Sequence, residues 1–139
     1  MPLTVMRRQS VTCCLGRKRT EVRRAREETG KALFGWGLAE HADLAEIIVS
    51  ELVTNAIVHG EGPVMVRISY ASGCLLAEVH DDGPGRPVRR QAAAEDESGR
   101  GLAVIEGLLA ANGGSLTVTD DDAGSGKTVC AAIRLAGAK

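Results

Sequence analysis

Three polar side chains recur at a regular spacing along one largely apolar segment of the chain. Residues 49–60 read Val-Ser-Glu-Leu-Val-Thr-Asn-Ala-Ile-Val-His-Gly, with Glu51, Asn55 and His59 four residues apart. Residues at that spacing lie on nearly the same face of a helix. A carboxylate and an amide beside buried neighbours cost free energy unless they have partners. The pattern therefore indicates a site for a polar ligand or, as the simpler interpretation, a solvated helix edge.

A second motif follows an apolar strand-like segment. Residues 80–85 read His-Asp-Asp-Gly-Pro-Gly, which places Asp81 at the end of the strand. Gly83 and Gly85 would let the backbone approach a flat ligand closely. A carboxylate in this position can accept a hydrogen bond from an exocyclic amine, and such a bond contributes roughly 1.5–3 kcal/mol. An ordinary acidic turn is the alternative.

Two further glycine-containing motifs come later in the chain. Gly99-Arg100-Gly101-Leu102 stands at the start of a predicted helix, where free N–H groups and the helix dipole favour an anion. A flexible loop before a capped helix is the alternative there.

Residues 124–128, Gly-Ser-Gly-Lys-Thr, resemble the end of a Walker A loop. Asp121 stands where that motif requires its first glycine. The residues after Thr128 alternate as a strand does, whereas a Walker A loop opens a helix. We therefore interpret this segment as a hairpin turn.

The elements that must position these motifs are indicated by hydrophobic periodicity. Helices are predicted over 20–36, 43–59 and 101–112, with Asp43 as the cap of the second. Strands are predicted over 11–15, 64–70, 74–80, 115–120 and 128–135. The polar segment 81–98 is predicted to be a functional loop. We expect a flexible lead-in over 1–10 and a single domain over 11–136.

Composition excludes several classes of function. The 139 residues are 44% hydrophobic and carry a net charge of −1, and aromatic residues make up 2%. This balance suits one globular domain and argues against direct nucleic-acid binding. We see no membrane-length apolar run and no secretory signal, so a cytoplasmic protein is expected. The four cysteines lack metal-site spacing and are predicted to be small buried apolar residues in a reducing compartment.

Taken in order, the motifs resemble those of the GHKL (Bergerat-fold) ATPases. The resemblance covers residues 11–135 and is closest to the small bacterial anti-sigma factor serine kinases, with residues 49–60 matching the N-box almost throughout. It implies an α+β fold, a two-layer α/β sandwich whose mixed, mostly antiparallel sheet carries about three helices on one face.

The resemblance also implies ATP and Mg²⁺ as cofactors and a role for each motif. Glu51 would be the general base, Asn55 would ligate Mg²⁺, and Asp81 would accept a hydrogen bond from the adenine amino group. Thr128 would support Asp81. Gly83 and Gly85, the glycines after Asp81, would pass close to the base. The predicted helix start would present backbone N–H groups to the phosphates, and it comprises Gly99, Arg100, Gly101 and Leu102.

Two basic segments of the sequence each have more than one interpretation. Residues 86–98 would form an ATP lid, in which Arg86, Arg89 and Arg90 contact phosphate or a partner, or are simply solvated. Pro87 departs from the family pattern at the hinge of the lid. The basic start has no role in the family pattern, and it is either a solvated lead-in or a surface for an acidic partner; it comprises Arg7, Arg8, Arg17, Lys18 and Arg19.

By this resemblance the protein would hold a sigma factor inactive and phosphorylate a serine of an anti-anti-sigma (STAS) protein. A homodimer through the first helix is a further implied partnership. The chain shows no phosphoacceptor helices and no second domain with a catalytic lysine, so the sensor-kinase and larger GHKL machines are less favoured. The alternative is a non-catalytic ATP-binding regulatory module that sequesters a transcription factor.

Overall fold

A computed structural model describes residues 9–83, 97–120 and 126–135, with the backbone alone for 97–102. The elements in chain order are β1 (Gln9–Leu15), α1 (Thr20–Gly35), α2 (Ala42–His59), β2 (Val64–Ala71), β3 (Cys74–Asp81), α3 (Glu97–Ala111), β4 (Ser115–Asp120) and β5 (Lys127–Arg134). A short 3-10 turn over Ala39–His41 precedes α2.

The five strands form one sheet in the order β1-β2-β3-β5-β4. Each pairing in the described part of the chain is antiparallel, so the sheet shows none of the parallel pairing that a mixed sheet would contain. Strands β2 and β3 join through a two-residue turn in which Ser72 and Gly73 both have positive φ, at 54° and 78°. That geometry matches the twist of a tight hairpin. The α+β prediction is confirmed.

Helix α2 lies at the centre of the core. It packs against α1, α3, β2 and β3, and its buried side chains include Ile48, Val49, Leu52 and Val53. These side chains meet the apolar residues of one sheet face, which are buried at alternate positions along β2, β3 and β5. Because α2 is apolar on most of its circumference, it can be buried by neighbouring elements on several sides.

Two helix starts differ from the sequence-based prediction. Helix α2 begins at Ala42 without a side-chain capping hydrogen bond, so Asp43 lies in its first turn and not at the cap. An acidic residue is still favourable there because it faces the positive end of the helix dipole. Helix α3 begins at Glu97, four residues before the predicted start at Gly101.

The prediction of buried cysteines is wrong. Cys14 is exposed, Cys13, Cys74 and Cys130 are partly buried, and all four are free thiols. Partial burial raises the pKa of the Cys130 thiol, and the nearby Glu78 carboxylate adds to that rise. Among the described helices, none has the length and apolar character needed to span a membrane.

Candidate functional site

Asp81, the last residue of β3, has a buried side chain whose carboxylate accepts hydrogen bonds through one of its two oxygens. Its Oδ1 accepts hydrogen bonds from the backbone N–H of Gly83 at 2.7 Å and from Nζ of Lys127 at 3.0 Å. The backbone N–H of Glu61 makes a weaker contact to the same oxygen at 3.5 Å. Within the described residues, Oδ2 accepts no hydrogen bond. The carboxylate is therefore fixed through one oxygen, and the other has no hydrogen-bond partner among the described residues.

Two glycines enclose this carboxylate. A Cβ added at Gly60 would lie 2.4 Å from Cγ of Asp81 and 2.6 Å from the carbonyl oxygen of Ala56. A Cβ added at Gly83 would lie 3.0 Å from Oδ1 of Asp81. The sequence predicts close approach of Gly83 to a ligand, and the structure shows its close approach to Asp81. The end of α2 and the end of β3 therefore meet at Asp81.

Replacing Gly60 with alanine is expected to lower the free energy of unfolding by about 1–3 kcal/mol, because the new methyl group overlaps both Asp81 and a rigid carbonyl. Urea denaturation measures this change. Gly35→Ala is the matched control, since a Cβ at Gly35 meets no atom within 4 Å. Equal urea midpoints for the two variants would show that the contact at Gly60 relaxes without penalty.

The structure does not bring Thr128 to Asp81. In the antiparallel pair of β3 and β5, Asp81 is opposite Lys127, and His80 is opposite Thr128. Opposite residues share a face of a sheet, so Thr128 lies on the other face, in an open groove of about 280 Å³ that His80 also lines. The predicted support of Asp81 by Thr128 is therefore corrected, and Lys127 makes that contact.

Arg17 anchors the loop that follows α2. Its guanidinium group donates hydrogen bonds to the carbonyl oxygens of Gly60 at 2.7 Å, Gly62 at 3.1 Å, Ala56 at 3.2 Å and Ile57. The last carbonyl groups of a helix lack intrahelical partners and carry the negative end of the helix dipole. Arg17, which the sequence left without a role, therefore fixes the loop that packs on Asp81.

We expect Arg17→Met to lower the free energy of unfolding by about 2–3 kcal/mol, because several charge-assisted hydrogen bonds are lost together. Arg17→Lys should recover only part of this, since an ammonium lacks the planar fork of a guanidinium group. Urea denaturation gives both values. The control is Arg23→Met, whose side chain is exposed beside Glu27 and should matter little. An unchanged midpoint for Arg17→Met would contradict the anchoring role.

Glu51 and Asn55 lie one turn apart on α2. Asn55 is buried, with 7% of its surface exposed. Asn55 precedes Gly60 by five residues, so it lies about 7.5 Å along the helix axis from the end that meets Asp81. Glu51 is half-buried and lines a cleft of about 470 Å³ between α1 and α2, together with Arg26, Asp43, Glu46, Ile47 and Ser50. His59 is exposed at the helix end.

The remaining predicted contacts divide into two groups. Gly99, Arg100, Gly101 and Leu102 lie within the first two turns of α3 and not at its first position. Because only the earliest N–H groups of a helix are unpaired, the later members of this motif are less suited to bind phosphate through the backbone than predicted. Helix α3 packs against α2. Gly85, Arg86, Arg89 and Arg90 lie outside the described residues.

Comparison with known proteins identifies the family. Residues 17–131 match the family model of the histidine kinase-like ATPase domain. The chain belongs to this family. The GHKL resemblance is therefore confirmed at the level of the superfamily, and the protein is a histidine kinase-like ATPase domain, which implies that it binds ATP.

Solved structures agree with this assignment. The histidine kinase domain of the Erythrobacter litoralis EL346 blue-light activated histidine kinase is 32% identical, with a TM-score of 0.53 over 70% of this chain and 46% of that one. In a longer structure of the same kinase the match covers 31% of that chain. This chain thus spans less than half of either structure. The Acinetobacter baumannii histidine kinase AdeS shares the fold, with 19% identity and a TM-score of 0.55 over 91% of this chain and 68% of that one. A comparison with curated proteins found no match.

The donor set of this histidine kinase-like ATPase domain fits Mg²⁺ held jointly with a nucleotide. Within the described residues there is no cluster of three or more His, Cys, Asp or Glu side chains that could hold a metal ion. Mg²⁺ typically takes one or two protein ligands and completes its shell with substrate phosphates and water. The side-chain oxygen of Asn55 could supply one such ligand.

Proposed function

We propose that this histidine kinase-like ATPase domain is a protein-serine kinase that phosphorylates an anti-anti-sigma protein of the STAS class and also holds a sigma factor inactive. The observation that carries the proposal is the position of Glu51. Its half-buried carboxylate lines the open cleft between α1 and α2 and lies one helical turn from Asn55. A protein that only bound ATP would have no use for a base in this position.

Phosphoryl transfer depends mainly on positioning and on charge neutralisation. Asp81 would accept a hydrogen bond from the adenine amino group through Oδ2, the oxygen that has no hydrogen-bond partner among the described residues. Asn55 would hold Mg²⁺, which supplies charge neutralisation at the phosphates when bound. Glu51 would take the proton of the serine hydroxyl while the serine oxygen forms a bond to the γ-phosphorus. At the same time the bond between the γ-phosphorus and the leaving ADP oxygen would break. The products are ADP and phosphoserine, with the proton on Glu51.

The cleft beside Glu51 suits a segment of another protein. It is open, and charged side chains of both signs line it, including Arg26, Asp43 and Glu46. A polar loop bearing a serine could enter without leaving these charges unpaired. The N-box resemblance of residues 49–60 favours the anti-sigma branch, and that branch supplies the choice of a STAS partner.

A second candidate function is a non-catalytic, ATP-binding regulator that sequesters a transcription factor. Phe34, near the end of α1, favours it because 73% of its surface is exposed. Aromatic side chains are enriched at the buried centres of protein–protein interfaces. Such binding, including formation of a homodimer through α1, needs no phosphoryl transfer.

The two candidates differ in what happens to the γ-phosphoryl group. The test incubates the domain with radiolabelled ATP, Mg²⁺ and a panel of STAS proteins from the same genome, each with its serine→alanine variant. We expect acid-stable label on one STAS protein and none on its variant. Acid-labile label would indicate phosphohistidine and overturn the serine assignment. ATP binding with no transfer to any partner would favour the second candidate.

A further inference from the structure

Lys127 and Asp81 form a buried ion pair at the meeting point of β3 and β5. Nζ of Lys127 lies 3.0 Å from Oδ1 of Asp81, and the two side chains are 5% and 2% exposed. Their positions are opposite in the strand register, so the backbone holds both on the same face of the sheet. The strand register therefore places the two side chains side by side, unlike a surface ion pair between two flexible side chains.

Neither partner uses its full hydrogen-bonding capacity within the described residues. An ammonium group has three N–H donors, and Nζ of Lys127 uses one of them on Oδ1 of Asp81. The same Oδ1 also accepts the hydrogen bond from the backbone N–H of Gly83. Among the described residues, Oδ2 therefore has no hydrogen-bond donor. Buried charged groups are costly to leave with unmet hydrogen bonds. The pair therefore offers a ligand a donor and an acceptor side by side.

We propose that Lys127 is a base-recognition residue that donates a hydrogen bond to N1 of adenine while Asp81 accepts one from the adjacent 6-amino group. On the Watson–Crick edge of adenine the acceptor N1 and the 6-amino donor are neighbours, which matches the ammonium and the carboxylate oxygen. The inference rests on the proposed function, since it takes Asp81 as the residue that holds adenine. Lys127 already makes the contact to Asp81 that the sequence predicted for Thr128, and the inference adds a contact from Lys127 to the base itself.

Nucleotide analogues test this contact in the unaltered protein. 1-Deaza-ATP lacks the N1 acceptor but keeps the 6-amino group, whereas 7-deaza-ATP keeps both. Calorimetric titration in the presence of Mg²⁺ should show similar affinity for ATP and 7-deaza-ATP. Affinity for 1-deaza-ATP should be about ten- to a hundredfold lower, the range expected for one hydrogen bond to a charged group.

Lys127→Met supplies the second arm, because methionine keeps much of the side-chain length without the donor. This variant should bind ATP and 1-deaza-ATP with equal, weakened affinity, and its thermal transition checks that it folds. Equal affinity of the unaltered protein for ATP and 1-deaza-ATP would overturn the inference and leave the nucleotide site in place. Tighter ATP binding by Lys127→Met would also overturn it, because the ammonium would then compete with adenine for Asp81. Failure of all three nucleotides to bind the unaltered protein would instead refute the proposed nucleotide site.

Discussion

Asp81→Asn is expected to weaken ATP binding by at least about a hundredfold, since a charge-assisted hydrogen bond is lost and an amide donor faces the adenine amino group. The amide oxygen can still accept the hydrogen bond that Gly83 now donates to Oδ1, so the local backbone should keep its path. Calorimetric titration with ATP and Mg²⁺ measures the change. Asp82→Asn is the matched control, because Asp82 is the exposed neighbour. Retention of normal ATP affinity by Asp81→Asn would refute the role of Asp81.

The stability of the same site separates ligand binding from ion pairing. Asp81→Ala should lower the free energy of unfolding by about 3–5 kcal/mol, because it leaves the buried ammonium of Lys127 without its counter-charge. Adding Lys127→Met to that variant should restore much of the stability, since no buried charge then remains at the pair. ATP binding should stay lost in the double variant. Recovery of binding together with stability would show that Asp81 acts only through the fold.

The parts of this site that the sequence predicts are those set by local pattern. Asp81 is found at the end of its strand, and Glu51 and Asn55 are found one turn apart on the buried helix. Strand β4 has the predicted bounds, Ser115–Asp120. Each of these features depends on alternation or helical periodicity within a few residues, and a sequence displays such periodicity directly.

The parts that the sequence does not predict depend on distant pairing. Arg17 binds carbonyl oxygens some forty residues away, and no local pattern links the two segments. The assignment of Thr128 failed for a related reason. Strand β5 begins at Lys127, and a shift of one residue moves a side chain to the opposite face of the sheet. The register between β3 and β5 is a property of the assembled sheet, so only the structure reveals that Lys127 faces Asp81.

Glu51→Gln is expected to slow phosphoryl transfer about 10²- to 10⁴-fold, the usual contribution of a general base, while ATP affinity stays unchanged. The amide fills the same space but cannot take the proton of an attacking hydroxyl. The base accelerates only the transfer step, so its loss should appear in the single-turnover rate and not in the dissociation constant for ATP. Single-turnover transfer from radiolabelled ATP to the STAS partner, alongside calorimetry, distinguishes these effects.

Glu46→Gln is the matched control for Glu51→Gln. Glu46 lies on the same helix, lines the same cleft and carries the same charge. If negative charge in the cleft were needed only to attract the partner, both variants should slow transfer to a similar degree, and the loss should shrink as salt screens the charges. If Glu51 takes the proton, its variant alone should lose the transfer step, and added salt should not restore it. A rate for Glu51→Gln equal to that of the unaltered protein would remove Glu51 as the base and leave positioning at Asn55 and Asp81 to account for any transfer.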